Sequence, residues 1–207
     1  MNNSSKVIAV DLLTFQKKGE LTGLNFPRFM LVNGSRGYIS ELGSPEILVV
    51  SIPGLKEVAR INTGKSNDRL LFGPGGLYAA NWSSFFVNAP NNTMLLIDTA
   101  NNTVIDSVVV SKEPNSMVFD QGGRLWVLSS GGYLSEEYPA LTCIDPVGFT
   151  VDKVIQFPVK SINPTQLCRN PTGDTLYYLN DSVYRIPITA TAVPQKAFIG
   201  QTGFYAL

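Results

Sequence analysis

One pattern constrains this chain more than any other: a short apolar run closed by one small polar residue, returning at almost constant spacing. Ile47-Leu48-Val49-Val50-Ser51, Met94-Leu95-Leu96-Ile97-Asp98 and Leu141-Thr142-Cys143-Ile144-Asp145 put their closing residues 47 positions apart. Val7-Ile8-Ala9-Val10-Asp11 is an earlier copy, 40 residues ahead of Ser51, and Val183-Tyr184-Arg185-Ile186-Pro187 is a weaker later one. Between these anchors lie β-branched and aromatic runs of four to six residues, separated by Gly, Asn and Asp turns. After Asp98, for example, come a turn at 99–103, Val104–Val110, Pro114, Met117-Val118-Phe119, the turn Asp120-Gln121-Gly122-Gly123, and Leu125–Leu128. Short strands at turn-punctuated intervals are an all-β signature, and a period of ~40–50 residues is that of four-stranded propeller blades.

The cycle is out of phase with the blade. The anchor residue closes the third strand, the charged strand after it is the outer edge, the strand after Pro is the innermost of the next blade, and the Gly-Leu-Tyr type strand is its second. Glu57, Arg60, Asp106, Asp152 and Lys153 fall on the outer strands, where charge blunts an exposed edge. The innermost strand, with neighbours on both faces, is expected to be the most continuously apolar. The segment around Lys17–Leu21 gives no clear strand signal. The expectation is one β-propeller domain over 7–207, about four blades, anchored at Asp11, Ser51, Asp98 and Asp145 and forming part or half of a seven- or eight-bladed ring.

Composition removes several chemistries. The chain has 207 residues, 44% of them hydrophobic, enough for a sizeable core, and its 16 basic and 16 acidic residues cancel without any long charge run. That balance gives no reason to expect a nucleic acid partner. Histidine is absent, which takes away the commonest zinc ligand and general base together. There is no Gly-x-Ser-x-Gly elbow, phosphate-binding Gly-rich turn or Cys-x-x-Cys. Cys143 and Cys168 fall in different blades and are expected to be buried free thiols. No cofactor is expected. Asp98 and Asp145 recur, but at strand ends, where a carboxylate accepting N–H bonds from the following turn is a structural device.

The repeat Pro-x-x-apolar, Gly-x-Leu-Tyr-Val, apolar-x-apolar-Ile-Asp and Thr-x-x-Val resembles the YVTN-type, surface-layer-protein-like β-propeller repeat over nearly all of 7–207, and most closely extracytoplasmic propellers of Bacteroidetes. The resemblance implies a propeller; some members of the broader group capture a cofactor such as a corrinoid at the outer membrane. Met1-Asn2-Asn3-Ser4-Ser5-Lys6 has no apolar core and is not a signal peptide, and the first strand begins abruptly at Val7. The expected location is therefore the cell surface or periplasm, the signal segment being absent from this chain. Residues 198–207 read as the lead-in to another inner strand, and self-association to complete the ring is a further expectation.

Propeller topology puts the outer-to-inner and second-to-third connections on one face. These are 25–28, 62–68, 111–116 and 160–165, with 40–46, 81–92 and 129–140. The opposite face carries tight turns at 73–76, 99–102 and 120–123. Binding residues favour the longer connections. Trp82, Phe85 and Phe86 in one loop and Tyr133 and Tyr138 in the next are candidate ligand contacts, because aromatic rings give rigid contact area with few rotamers lost. Arg28, Asn67, Asp68, Arg69 and Asn115 are their expected polar neighbours. The competing expectation is that the rings fold back to cover the blade. The function expected is a non-catalytic module binding a small molecule, corrinoid-like or otherwise, or a glycan. Its alternatives are a platform for a surface protein and a carbohydrate-active lyase or hydrolase using Glu136-Glu137 with Asp68 or Asp145.

Overall fold

A computed structural model describes residues 5–206. The first four residues and Leu207 lie outside the described residues, so the reading of the extreme N-terminus is not addressed by it. The anchor strand β1 (Lys6–Val10) pairs with β2 (Lys17–Thr22) in a two-stranded antiparallel sheet. The segment without a strand signal is thus the outer partner of the first anchor: Lys17 and Glu20 pair as ions on it, and Leu21 packs toward the next sheet.

Three four-stranded antiparallel sheets follow in chain order. The first comprises β3 (Pro27–Asn33), β4 (Arg36–Glu41), β5 (Glu46–Ser51) and β6 (Glu57–Asn62); the second comprises β7 (Ser66–Gly73), β8 (Gly76–Ser83), β9 (Thr93–Asp98) and β10 (Thr103–Val109). The third comprises β11 (Pro114–Phe119), β12 (Leu125–Ser129), β13 (Ala140–Asp145) and β14 (Thr150–Gln156). A three-stranded sheet closes the series: β15 (Thr165–Arg169), β16 (Thr175–Asn180) and β17 (Ser182–Pro187). Each sheet is an up-and-down meander cut where the repeat predicts, consistent with part of a multi-bladed propeller.

Period-two alternation explains how the sheets stack. On β8, Leu77 and Ala79 join Tyr38, Ile47 and Val49 of the first sheet, while Tyr78 and Ala80 join Met117, Leu125 and Val127 of the third. On β12 the roles continue, with Trp126 and Leu128 turned to Leu167, Leu176 and Tyr178 of the last sheet. A fourth cluster packs Val7, Ala9 and Leu21 against Ile39, Leu48 and Val50. Every core cluster is an interface between consecutive sheets, so residues i, i+2 on one strand serve one neighbour and i+1, i+3 the other.

The burial order corrects one expectation. The second and third strands are the most buried, as β12 and β5 show, whereas the inner strands β3 and β15 are mostly half-buried and the outer strands are largely exposed. Central strands have a sheet on each face; an inner strand faces the open centre on its edge and carries polar residues there. A second correction concerns the C-terminal stretch. Ile199 and Val183 exchange backbone hydrogen bonds of 3.1 and 3.3 Å, so 198–199 sit at the fourth-strand position of the last sheet rather than leading into a new inner strand.

The anchors act as the sequence implies. Asp98 accepts the Ala100 N–H at 2.8 Å, Asp145 accepts the Val147 N–H at 3.1 Å, and Asp11 accepts those of Leu13 and Thr14 at 3.0 and 2.9 Å. These backbone donors are the main reason all three carboxyls titrate below the usual carboxylate range. Both cysteines are free thiols; Cys143 is buried, which pushes its pKa to about 11, while Cys168 is only half-buried, because it sits on an inner strand.

Candidate functional site

The inner strands share an irregularity that creates the site. Each shifts register near its start: between Pro27 and Met30, between Asn67 and Leu70, between Pro114 and Ser116, and between Thr165 and Cys168. A bulge leaves residues out of the ladder and re-aims their side chains. The residues released here are Arg28 and Phe29, Asp68 and Arg69, Asn115, and Gln166 with Leu167. Four sheets therefore present polar or aromatic groups to one place, the face carrying the long connections.

There they line a cleft of about 690 Å³. Arg28, Asp68, Arg69, Trp82, Asn115 and Tyr133, six of the expected residues, are on its wall. Arg28 donates from Nε to Asp68 Oδ1 at 2.8 Å, and its guanidinium lies 5.4 Å from the centre of the Trp82 ring. Arg69 stacks on Phe29, 3.9 Å from guanidinium carbon to ring centre, a cation–π contact. Its Nε donates to Asn115 O and its Nη2 to Gln166 Oε1, both at 3.2 Å. Burial lowers its pKa, Asp68 acts in the opposite sense, and Arg28 adds to the lowering. Glu113 also lines the cleft; burial raises its pKa, against the Ser130 hydroxyl that donates to Oε2 at 3.0 Å.

Four expected residues stand elsewhere. Asn67 is fully buried: Nδ2 donates to Thr63 Oγ1 at 2.7 Å and to Lys65 O at 2.8 Å, while Oδ1 accepts from Asn81 at 3.0 Å. Its position beside Asp68 in sequence suggested the surface, but the bulge turns it inward and its side chain holds the connection together. Phe85 and Phe86 lie outside the cleft, packed on each other at 5.3 Å, with Phe86 also 5.0 Å from Phe26. Tyr138 is outside as well, under the Lys160 ammonium at 5.2 Å. Phe85 and Tyr133 do not fold back over the blade, being 88% and 87% exposed, whereas Trp82 is half-buried and Phe86 packs on its aromatic neighbours.

Trp82 is on a strand rather than in a loop, since β8 runs to Ser83, and the same holds for Arg28, Asp68, Arg69 and Asn115. These five residues thus stand on strand ends, which hold side chains more firmly than loops do, while Tyr133 and Glu113 reach the cleft from connections. Phe29, Glu113 and Gln166 were not singled out from the sequence. A usable signal existed: Phe29 and Gln166 each stand two places after the repeat's proline, Pro27 or Pro164. Glu113 and Gln166 share a second property, φ of 55° and 58° in the left-handed region, where non-glycine residues carry strain that tends to concentrate at functional sites. Among the described residues, no group of three or more His, Cys, Asp or Glu is placed to hold a metal ion.

No family model matches the chain, and no curated protein matches it. Solved structures do. The β-propeller domain of Cps50 (Swd1) from Myceliophteria thermophila is similar with a TM-score of 0.71 at 12% identity, over 96% of this chain and 68% of that one. Dihydro-heme d1 dehydrogenase NirN in complex with DHE is similar with a TM-score of 0.70 at 10% identity, over 98% of this chain and 44% of that one. Hydrazine synthase from Kuenenia stuttgartiensis has a TM-score of 0.51 at 17% identity, covering 90% of this chain and 72% of that one. At these identities the likeness is one of fold, and the chain spans 44% of the length of NirN. The class of protein so defined is an all-β module of propeller-like sheets, a scaffold consistent in general terms with binding.

Proposed function

We propose that this chain is a non-catalytic, extracytoplasmic binding module of YVTN-type repeats that takes a small molecule or a glycan in the cleft above its inner strands. The observation that carries the reading is the convergence of an aromatic pair, Trp82 and Tyr133, with the polar groups of Arg28, Asp68, Arg69 and Asn115 around one concave volume of about 690 Å³. Ligand sites combine concavity, apolar surface and a few fixed polar groups in this way, at volumes of ~300–1,000 Å³. A thermal-shift and calorimetric screen of corrinoids, other cofactors and glycans tests it. A true ligand is expected to lose at least tenfold in affinity with Trp82→Ala or Tyr133→Ala; a ligand unaffected by both changes would remove this cleft as its site.

A second reading, a platform for a surface protein, is favoured by one feature. Phe85, Tyr133 and Leu134 are strongly exposed on the same face, and Phe85 stands outside the cleft. Exposed aromatic residues of this kind anchor protein interfaces. The two readings separate at Phe85→Ala, which should leave small-ligand affinity unchanged and weaken only a macromolecular partner.

A further inference from the structure

We propose that the ligand is held by an oxyanion, a carboxylate or a phosphate, received end-on by the guanidinium of Arg69. The inference rests on the small-ligand reading above and adds the chemistry of recognition to it. The first observation is geometric. Neutral oxygens of Asn115 and Gln166 take Nε and Nη2, and Phe29 supports one flat face. Nη1 has no acceptor among the described residues, so it and the remaining hydrogen of Nη2 form an unused two-donor edge. Two parallel N–H groups suit a two-oxygen anion.

The second observation is the charge balance. Arg28 has its carboxylate, Asp68, at 2.8 Å, whereas no carboxylate among the described residues is within ion-pairing distance of Arg69. Asp68 thus has one directly bonded guanidinium and a second nearby. Glu113, the other carboxyl on the wall, accepts from the Ser130 hydroxyl rather than from Arg69, and burial raises its pKa. A half-buried cation without an ion-pair partner is costly, and the cost falls when an anion enters from solvent. A third observation concerns position. Gln166, whose Oε1 accepts from Nη2, stands in the register shift of β15 with φ 58° in the left-handed region, so this acceptor is presented to Arg69 from a bulge of the neighbouring inner strand. Trp82 and Tyr133 remain to cover the body of the ligand.

The test uses matched probes that differ only in the anion: trigalacturonate and its methyl ester, glucose 6-phosphate and glucose, and a corrinoid with free carboxylates and its amidated counterpart. Calorimetry on the whole chain is expected to show at least one acidic member binding more than tenfold tighter than its neutral partner, with affinity falling as salt rises. Arg69→Gln should lower that affinity roughly 10- to 100-fold and abolish the preference. Arg69→Lys, which keeps the charge and loses the planar fork, should retain only a small part of it. Melting curves of both variants verify folding, and the salt dependence of the unaltered protein stands independently of either. Equal binding of the members of each pair, sensitive to Trp82→Ala, would overturn the anion and leave the cleft intact. A preference that survives Arg69→Gln in a folded protein would overturn Arg69 as its receiver. Binding of no probe, acidic or neutral, would overturn this inference and the small-ligand reading together.

Discussion

Asp120 shows how one carboxylate can hold a blade. It is buried at the turn between β11 and β12, where Oδ1 accepts the N–H groups of Gly122 and Arg124 at 2.8 and 3.0 Å and Oδ2 accepts the Trp126 indole N–H at 2.8 Å. Asp120→Ala would strand a buried indole donor and two turn amides, so we expect a loss of about 3 kcal/mol, read from urea unfolding. A loss below about 1 kcal/mol would mean that water replaces the carboxylate at no cost. Glu113 gives a prediction of opposite sense. Its folded pKa is raised, so the native state binds its proton more tightly than the unfolded chain does. The penalty is absent below the unfolded value, 4.5, grows as pH rises through the folded pKa, and is complete above it. Glu113→Gln should therefore stabilise the protein at neutral pH, with the gain fading toward pH 4.5; a pH-independent difference would contradict the burial argument. Of these two residues, Asp120 was visible in the sequence as a turn former. Glu113 was not, because nothing local marks a carboxyl that packing will desolvate.

At the scale of the element, hairpins and bulges divide the work. The tight turn joining β7 to β8 depends on Gly76, whose φ is +152° and at which a Cβ would stand 2.2 Å from the carbonyl oxygen of Ile97. Backbone on the neighbouring strand cannot yield as a side chain can. Gly76→Ala should cost about 2–4 kcal/mol and lower the melting temperature accordingly, and a neutral substitution would show that β9 moves aside. On the opposite face, the register shifts of the inner strands aim Arg28, Arg69 and Gln166 into the cleft. Hairpins were legible from Pro-Gly and Asp-x-Gly-Gly, since those residues carry their own backbone preferences. Bulges were not, because a shift of register is decided by which cross-strand partner fits, and Asn67 illustrates the consequence: adjacent to Asp68 in sequence, it points the other way.

Across the whole molecule, stability is expected to be distributed as in a linear array, each sheet held chiefly by the clusters it shares with its neighbours. All three four-stranded sheets have a partner on both sides, whereas β1–β2 and β15–β17 are the first and last described. Hydrogen exchange should accordingly be slowest in β4, β5, β8, β9, β12 and β13 and fastest in β1, β2 and β17, and uniform protection would contradict this order. Trp126 is the largest buried side chain of the interface between the third and last sheets, so Trp126→Ala should cost about 3–5 kcal/mol and release β15–β17 before the rest. The sequence by itself determined the strand cycle, its phase, the turns, and the face on which the long connections lie, because alternation, turn residues and the repeat of Ser51, Asp98 and Asp145 are local or periodic. Only the tertiary structure decided which side chains meet. Arg69 is completed by Phe29, Asn115 and Gln166 from three other sheets, and such a convergence depends on how sheets stack and where their inner strands bulge, neither of which is encoded within one repeat.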